Sequence, residues 1–259
     1  AVNLPLMVDS EREAVGIEYK QCGPEAARDL GHRLVSGTVR EERMARWKAF
    51  ATRHPDALLF CFRGGMRSKI VQEWLAEEGV RLPRVDGGYK ALRNWVLAEI
   101  GRLCRPESVL SPLILGGRTG CGKTDLLRAF PGAVDLEGLA GHRGSAFGQR
   151  IGGQPTQIAF ENRLAIELSS LAEELERSPG GNPRRPLLLE DESRRIGRIA
   201  LPLELHQRMQ RSRLVVLETS MPERVEITRR QYVEHNLEEI MARCADSEDP
   251  LARALQVLE

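Results

Sequence analysis

The stretch Gly117-Arg118-Thr119-Gly120-Cys121-Gly122-Lys123-Thr124 is a complete match to the phosphate-binding pattern G-x-x-x-x-G-K-[ST]. An apolar run at residues 109–115 predicts a strand before it, and apolar residues at helical spacing predict a helix after it. In this setting glycines let backbone N–H groups surround a diphosphate, a lysine reaches its outer oxygens and a threonine can ligate Mg²⁺. The predicted phosphate-binding residues are Gly117, Gly120, Gly122, Lys123 and Thr124.

Two later apolar segments end in acidic residues. Residues 133–136 predict a short strand with Asp135 near its end, and residues 187–191 predict a strand that ends in Glu190 and Asp191. Acids that follow a buried strand in a phosphate-binding domain can hold Mg²⁺ directly or through water. Asp135, Glu190 and Asp191 are therefore candidate contacts for Mg²⁺ or a diphosphate.

The remaining pattern predicts alternating strands and helices. Residues 158–175 predict an amphipathic helix, residues 178–186 a Pro/Gly-rich connection, and residues 214–217 a further buried strand. Earlier in the chain, residues 9–56 predict polar helices with a break at residues 19–24. Alternation in the second half favours a parallel α/β sheet with its site at the carboxyl ends of the strands.

Two polar segments are candidates for contact with substrate or nucleic acid. Residues 141–148 combine small residues with a basic pair, and residues 190–197 place adjacent arginines beside acids. A structural loop for the first segment and a solvated charge run for the second are the alternatives. The candidate contacts are His142, Arg143, Ser145, Ser193, Arg194 and Arg195.

A second chemical motif is Cys61-Phe62-Arg63-Gly64-Gly65-Met66-Arg67-Ser68. The apolar residues 57–60 predict a buried strand before it, and helical spacing predicts a helix after it. The loop amides would then lie at a helix N-terminus, where they and the two arginines favour negative charge. We expect this field to lower the pKa of Cys61, which makes it a candidate nucleophile. A buried structural cysteine is the alternative.

Composition limits the class of protein. The chain has 259 residues, 41% of them hydrophobic, which suits two domains that we place at residues 1–104 and 105–259. The formal net charge of +1 means that any nucleic-acid site is a local patch. The five cysteines lack metal-ligand spacing, so no structural metal is predicted. No long apolar run or signal-peptide pattern is present, so we expect a cytoplasmic protein without membrane contact.

The first half resembles the rhodanese superfamily. The Cys61 loop resembles its active-site loop, Ala1-Val2-Asn3-Leu4-Pro5 resembles the stretch before it, and residues 85–92 with Trp95 resemble its closing segment. The resemblance starts partway into that fold, which implies an N-terminally truncated rhodanese-like domain. Five residues separate Cys61 from Arg67, one more than in the commonest sulfurtransferase loops. The longer loop implies a phosphate-bearing anion rather than thiosulfate.

A rhodanese-like loop followed by a P-loop NTPase-like α/β domain with the segments LEGLAGHRGSAFG and LEDESRRIG resembles the tRNA 2-selenouridine synthases. This resemblance implies an enzyme that replaces sulfur by selenium in wobble 2-thiouridine of tRNA. Its substrates would be selenophosphate and geranyl diphosphate, the latter giving an S-geranyl intermediate, and a selenophosphate-producing enzyme would be a partner. Cys61 would handle the selenium, with an anion cradle formed by Arg63, Gly64, Gly65, Arg67 and Ser68.

The ligand of the P-loop stays open between two interpretations. Geranyl diphosphate, with Mg²⁺, is our hypothesis, because amides and Lys123 would stabilise the departing diphosphate. The alternative is a P-loop NTPase or small-molecule kinase that carries a regulatory rhodanese module. A plain sulfurtransferase would leave the P-loop without a role.

Overall fold

The computed structural model describes residues 1–143, 153–177, 186–230 and residue 234 of the chain. It divides into two compact units, the first formed by Ala1–Asn94 and the second beginning at Trp95. No helix in the described part of the chain is long and apolar enough to cross a membrane.

The first unit is mainly helical, as predicted. Helix α1 spans Asp9–Leu34, α2 spans Gly37–Arg53 and α3 spans Met66–Glu77. Gly23 interrupts α1 with a φ of 89°, directly before Pro24, which cannot donate a helical hydrogen bond. The predicted break is therefore confirmed at Gly23, whereas residues 19–22, also predicted to lie in the break, are helical. Helix α1 thus consists of two helical segments joined at Gly23.

Two tryptophans anchor the core of this unit. Trp47 on α2 and Trp74 on α3 are 5% and 8% exposed, and their ring centroids lie 6.4 Å apart. The Trp47 indole N–H donates to the backbone oxygen of Leu4 at 3.1 Å, which fixes the segment before α1. The guanidinium of Arg40 lies 4.2 Å from the centre of the Trp74 ring, in a cation–π contact.

The predicted buried strand at residues 57–60 is wrong. Only Leu59 forms a β-bridge, in parallel with Arg84, and the pairing does not continue because the chain turns at Cys61 on one side and at Asp86 on the other. Since side chains alternate along an extended segment, Leu58 and Phe60 point away from the core and are 57% and 39% exposed.

The later part of the described chain alternates strands and helices. Its helices are α4 (Gly88–Leu103), α5 (Lys123–Ala129), α6 (Leu136–Ala140), α7 (Gln157–Arg177), α8 (Leu203–Gln210) and α9 (Met221–Arg229). Its strands are β1 (Ser111–Gly116), β2 (Ala133–Val134), β3 (Pro186–Glu190), β4 (Arg195–Ile196), β5 (Ile199–Ala200) and β6 (Arg213–Val216). The predicted helix at residues 158–175 is confirmed, while most of the predicted connection at 178–186 lies outside the described residues.

Four strands form a parallel sheet in the order β2-β3-β1-β6, and β4 pairs with β5 in an antiparallel hairpin. The predicted parallel α/β sheet is thus confirmed. Because all four strands run the same way, their carboxyl ends meet at one edge of the sheet. The loop after β1 and the acids after β3 are therefore brought to the same edge.

Two strand predictions need correction. The strand predicted over residues 133–136 ends at Val134, because Asp135 caps α6 and Leu136 begins that helix. The strand predicted to be buried at residues 214–217 is exposed: Leu214 is 54% accessible. It forms the edge of the sheet, and its apolar residues suit a strand without requiring that both faces be covered.

Helix α7 supplies the centre of the second core. Phe160, Leu164 and Leu168 recur at helical spacing and are at most 1% exposed. They belong to one cluster with Leu189 on β3 and Ile100 on α4. This packing fixes β3, and with it the acids that follow the strand.

We expect the variant Gly88→Ala to lose about 3 kcal/mol of unfolding free energy, from the cost of a left-handed φ and of overpacking. Gly88 has a φ of 61°, and a Cβ atom there would lie 2.1 Å from both the carbonyl oxygen of Cys61 and the amide nitrogen of Gly64. Gly101→Ala on the same helix is the control, since a Cβ there meets nothing within 4 Å. It should stabilise the protein by up to about 1 kcal/mol. Urea unfolding curves give the unfolding free energy of both variants. Equal changes in the two variants would contradict the role of the Gly88 contact.

Candidate functional site

The thiol of Cys61 lies at the start of a turn that leads into α3. Its Sγ atom is 3.2 Å from the hydroxyl Oγ of Ser68 and 3.8 Å from the carbonyl oxygen of Gly65. Ser68 is 3% exposed, whereas Cys61 remains partly accessible. The arrangement therefore holds a reachable thiol against a fixed, buried hydroxyl.

The surroundings lower the pKa of Cys61, as predicted. Burial alone would raise the pKa, and hydrogen bonds from the Ser68 hydroxyl and the backbone amides of Ser68, Arg63 and Gly65 outweigh it. Hydrogen bonds to a thiolate favour the charged form, and the Ser68 hydroxyl makes the largest of these contributions, followed by the backbone amides. Sequence reasoning predicted the loop amides as a cause but not the Ser68 hydroxyl.

A close backbone contact supports the Cys61 loop from the other side. Gly64 has a φ of 63°, and a Cβ atom there would lie 2.5 Å from the amide nitrogen of Gly88. The amide of Tyr89 donates to the carbonyl oxygen of Cys61 at 2.8 Å. The guanidinium of Arg84 also donates to the carbonyl oxygen of Gly64. Sequence reasoning missed Arg84, since nothing in its neighbourhood distinguishes it from a surface arginine.

The two arginines of the predicted anion cradle differ in their surroundings. Arg63 is exposed, and Arg67 is partly buried and lines two neighbouring clefts. Gly65 is the N-cap residue of α3, so the first amides of that helix point towards the loop. Cys61, Ser68 and the three intervening backbone amides form one local site, and the arginines supply positive charge at its border.

The P-loop has the backbone geometry that its glycines predict. Gly117, Gly120 and Gly122 have φ values of 147°, 78° and 91°, which residues other than glycine rarely adopt. The amine of Lys123 donates to the carbonyl oxygen of Gly117 at 2.7 Å, so the lysine folds back across the loop. Thr124 is partly buried in the first turn of α5.

The segment after β6 holds the P-loop in place. The Thr219 hydroxyl donates to the carbonyl oxygen of Cys121 at 2.9 Å. The Arg224 guanidinium donates twice to the carbonyl oxygen of Thr119, at 3.0 and 3.1 Å. A Cβ atom at Gly120 would lie 2.3 Å from the hydroxyl of Thr228. Sequence reasoning missed these supports, because residues about a hundred positions away carry no local sign of the contact.

The three predicted acids have separate roles. The Asp135 carboxylate accepts the amide hydrogen of Gly138 at 2.5 Å as the cap of α6. Glu190 is 1% exposed, and its Oε2 atom accepts the amide hydrogen of Leu136 at 2.9 Å. Asp191 is exposed and lies beside the start of the P-loop, with its Oδ2 atom 3.5 Å from the Cβ position of Gly116. Asp191 is thus the best placed of the three to meet a ligand of the loop.

Two further acids lie near Lys123. Burial, followed by a hydrogen bond to Glu137, raises the pKa of Glu192 to about 8, so Glu192 donates its proton to Glu137. Burial also raises the pKa of Glu137, while Glu192 and Lys123 partly offset the effect. The sequence placed Glu192 in a charged run but did not predict this pair.

The polar groups near the P-loop fit a magnesium ion bound together with phosphate. Within the described ranges, no group of three or more His, Cys, Asp or Glu side chains is arranged to hold a metal ion. At phosphate sites, however, Mg²⁺ needs only one or two carboxylates, because phosphate oxygens and waters complete its shell. Asp191 and the Thr124 hydroxyl are the groups that would hold it.

Of the remaining candidates, His142 lies beside a hydrogen-bonded link formed by Gln154, and Ser145 lies outside the described residues. The Gln154 amide donates to the carbonyl oxygens of Ala140 and Ile196, and its oxygen accepts the amide hydrogen of Arg198 at 2.7 Å. His142 packs beside this link, 2.9 Å from the Cβ position of Gly197. Gln154 therefore joins α6 to the β4-β5 hairpin, which sequence reasoning did not predict.

The predicted contacts at residues 193–195 form the entry to the hairpin. The Ser193 hydroxyl donates to the carbonyl oxygen of Arg195 at 2.8 Å, which gives it a local structural role. Arg194 and Arg195 are exposed, and Arg143 lies next to His142 at the end of the described segment. Their predicted contact with nucleic acid stays a prediction.

We expect Ser68→Ala to slow alkylation of Cys61 by about three- to tenfold at neutral pH, because losing the hydroxyl raises the thiol pKa and lowers the thiolate fraction. Peptide-resolved iodoacetamide labelling between pH 6 and 9 would give, for each cysteine, the midpoint pH, at which the alkylation rate reaches half its maximum. Cys104 serves as an internal reference, since burial raises its pKa to about 11. Ser36→Ala, which removes a hydroxyl bonded to Arg33 instead, is the control. An unchanged midpoint for Cys61 in Ser68→Ala would contradict the assignment.

A pH dependence follows from Glu190 in the metal-free protein. Burial, together with the charge of Asp135, raises the pKa of Glu190 from 4.5 to about 9, so the folded state keeps a proton that the unfolded chain releases. This contribution to stability is complete below pH 4.5 and is lost as the pH rises towards 9. We expect Glu190→Gln to flatten the fall in unfolding free energy between pH 6 and 9, where one proton accounts for up to about 1.4 kcal/mol per pH unit. Parallel curves for both proteins would rule out a protonated Glu190.

The sequence of this chain is similar to that of several known proteins. The family described as "tRNA 2-selenouridine synthase AAA domain" matches residues 110–258. Proteins named tRNA 2-selenouridine synthase from Hahella chejuensis and Marinobacter nauticus are 52% and 47% identical, over 96% of this chain and 63% and 64% of their own lengths. The protein of that name from Azotobacter vinelandii is 52% identical over 90% of this chain and 60% of its own length. This chain thus spans about three fifths of these relatives, and it belongs to the tRNA 2-selenouridine synthase family.

Proposed function

We propose that this protein is a tRNA 2-selenouridine synthase that replaces sulfur by selenium in 2-thiouridine of tRNA. The observation that carries the proposal is the identity of about half over 90% or more of the chain to proteins of that name. We further infer that residues 1–104 are a rhodanese-like domain and residues 105–259 the P-loop α/β domain. The Cys61 loop and the P-loop would then serve two chemical steps.

The first step would activate the sulfur of 2-thiouridine. A thiolate leaves poorly from the electron-rich ring, whereas an alkylated sulfur leaves as a thiol. The sulfur would attack the first carbon of geranyl diphosphate, the allylic C–O bond would break, and the ring would lose its N3 proton. The diphosphate that departs needs positive charge and N–H donors, which the P-loop amides and Lys123 offer.

Mg²⁺ fits this step as a ligand of the departing diphosphate. When bound, the ion would neutralise charge on the diphosphate oxygens. Asp191 and Thr124 would hold it. Glu192 and Glu137 lie within the field of Lys123 and could hold the proton released from the ring, since a raised pKa suits a group that exchanges protons near neutral pH.

The second step would use the Cys61 loop. Arg63, Arg67 and the loop amides would bind the phosphate of selenophosphate, and the thiolate of Cys61 would handle its selenium. The selenium of selenophosphate would attack C2, the C2–S bond would break and the sulfur would take a proton and leave as geranylthiol. Water would then cleave the Se–P bond and release phosphate. The lowered pKa of Cys61 supports this role, because the thiolate is the reactive form at neutral pH. An enzyme that produces selenophosphate is the implied partner.

The exposed arginines near the β4-β5 hairpin would contact tRNA. Arg194 and Arg195 are accessible, and they follow directly from the strand that ends in the acids of the P-loop site. Arginine pairs well with phosphate groups of the backbone. With His142, Arg143 and Ser193, they form the proposed contact region.

The test is mass spectrometry of nucleosides from 2-thiouridine tRNA incubated with the protein, Mg²⁺, geranyl diphosphate and selenophosphate. We expect geranylated and then selenium-containing uridine. Cys61→Ser should abolish selenation and leave geranylation intact. Lys123→Ala should slow geranylation at least about tenfold, because one charged contact to the departing diphosphate stabilises the transition state by at least that factor. Supplying tRNA that is already geranylated should restore selenation by Lys123→Ala.

Matched controls separate these roles from folding defects. Cys22→Ser removes an exposed thiol, and Lys48→Ala removes a surface lysine paired with Glu78. Both should retain the two activities. Loss of both steps in Cys61→Ser would indicate a structural cysteine. ATP hydrolysis stimulated by tRNA, without geranyl transfer, would return the P-loop to the role of a nucleotide site.

A further inference from the structure

The first unit contains a cleft of about 410 Å³ that the proposed chemistry has not used. Its walls are mainly apolar and come from α1, α3 and the segment before α1. The volume falls in the range of about 300 to 1,000 Å³ that is common for small-ligand sites. The residues inside it include Val15, Ala27, Ile70 and Trp74.

The cleft owes its shape to the break in α1. Gly23 reverses the direction of the helix, so its two segments fold back on each other. A Cβ atom at Gly31 would lie 3.8 Å from the Cγ2 atom of Val15, which places the two segments in contact across the break. Small residues at positions 16, 27 and 31 leave open space between this hairpin and α3.

Basic side chains are also part of the wall of the cleft, although one of them, Arg12, pairs with Asp9 at 2.8 Å. Arg12, Arg28 and Arg67 are among the residues that line it. Leu6, Met7, Arg12 and Arg67 also line the neighbouring cleft that contains Cys61. A mainly apolar wall with a few basic groups suits a ligand with a hydrocarbon chain and an anionic end.

We propose that this cleft holds the geranyl chain of the S-geranylated uridine while the Cys61 loop acts at C2. The assignment rests on the proposed function and deepens it. The sulfur that leaves C2 carries ten carbons, and these must lie close to the selenium donor during the exchange. Burying them in the cleft removes apolar surface from water, and Arg28 and Arg67 in its wall would pair with phosphates of the RNA.

Gly16→Trp tests the cleft with little strain on the fold. Gly16 is helical, lines the cleft and has nothing within 4 Å of its Cβ position, so an indole can enter the open space. Ile17→Trp is the matched control, because Ile17 is the next residue of the same helix and its side chain is 49% exposed. Circular dichroism would confirm that both variants retain their helices.

The measurement is the affinity for two anticodon stem-loop RNAs, one carrying S-geranyl-2-thiouridine and one carrying S-methyl-2-thiouridine. We expect the unchanged protein to prefer the geranyl RNA at least about tenfold, as apolar pockets discriminate by chain length. Gly16→Trp should reduce this preference to less than about threefold, with the methyl RNA unaffected, and Ile17→Trp should keep it. Equal weakening of both RNAs by Gly16→Trp, or no geranyl preference in the unchanged protein, would overturn the assignment.

The outcome is independent of the proposed activity, because binding is measured without selenophosphate. A protein that prefers the geranyl RNA and never converts it to 2-selenouridine would refute the proposed function and keep the cleft. A protein that forms 2-selenouridine but binds both RNAs equally would support the proposed function and refute the role of the cleft.

Discussion

The backbone contact between Gly64 and Gly88 governs the geometry of the Cys61 loop. Each residue has a positive φ, and each would place a Cβ atom within 2.5 Å of the other's backbone. The contact sets the turn after Cys61 and the start of α4 together. Because the loop is held in this way, its amides point at the thiol and lower the pKa of Cys61 by fixed hydrogen bonds.

This arrangement leaves the arginines available for a substrate. If the guanidiniums of Arg63 and Arg67 were needed to stabilise the thiolate, binding an anion would weaken that effect. The Ser68 hydroxyl and the backbone amides stabilise the thiolate instead. A phosphate-bearing ligand can therefore pair with the arginines and neutralise their charge without raising the pKa of Cys61. Arg84 also stabilises the loop, since its guanidinium donates a hydrogen bond to the carbonyl oxygen of Gly64.

The parts that sequence could predict are those with a local physical cause. The P-loop, its flanking strand and helix, the break in α1 at Gly23 and the amphipathic α7 follow from residue types within a few positions of each other. The sequence could not predict that the apolar strand β6 would lie at an exposed edge, because burial depends on neighbours far along the chain. The same limit hid the contacts of Arg224 with Thr119, which join residues 105 positions apart.

Protonation of the buried acids matters for the proposed diphosphate ligand. Lys123 is the cation of the P-loop, and a pair of ionised carboxylates beside it would cancel its charge. Burial raises the pKa of both Glu137 and Glu192, and the proton that Glu192 donates to Glu137 removes one negative charge from the pair. Glu190 is likewise held neutral by burial. Burial therefore keeps Glu190 and Glu192 protonated near neutral pH, which removes negative charge from the surroundings of the P-loop and favours an anion there.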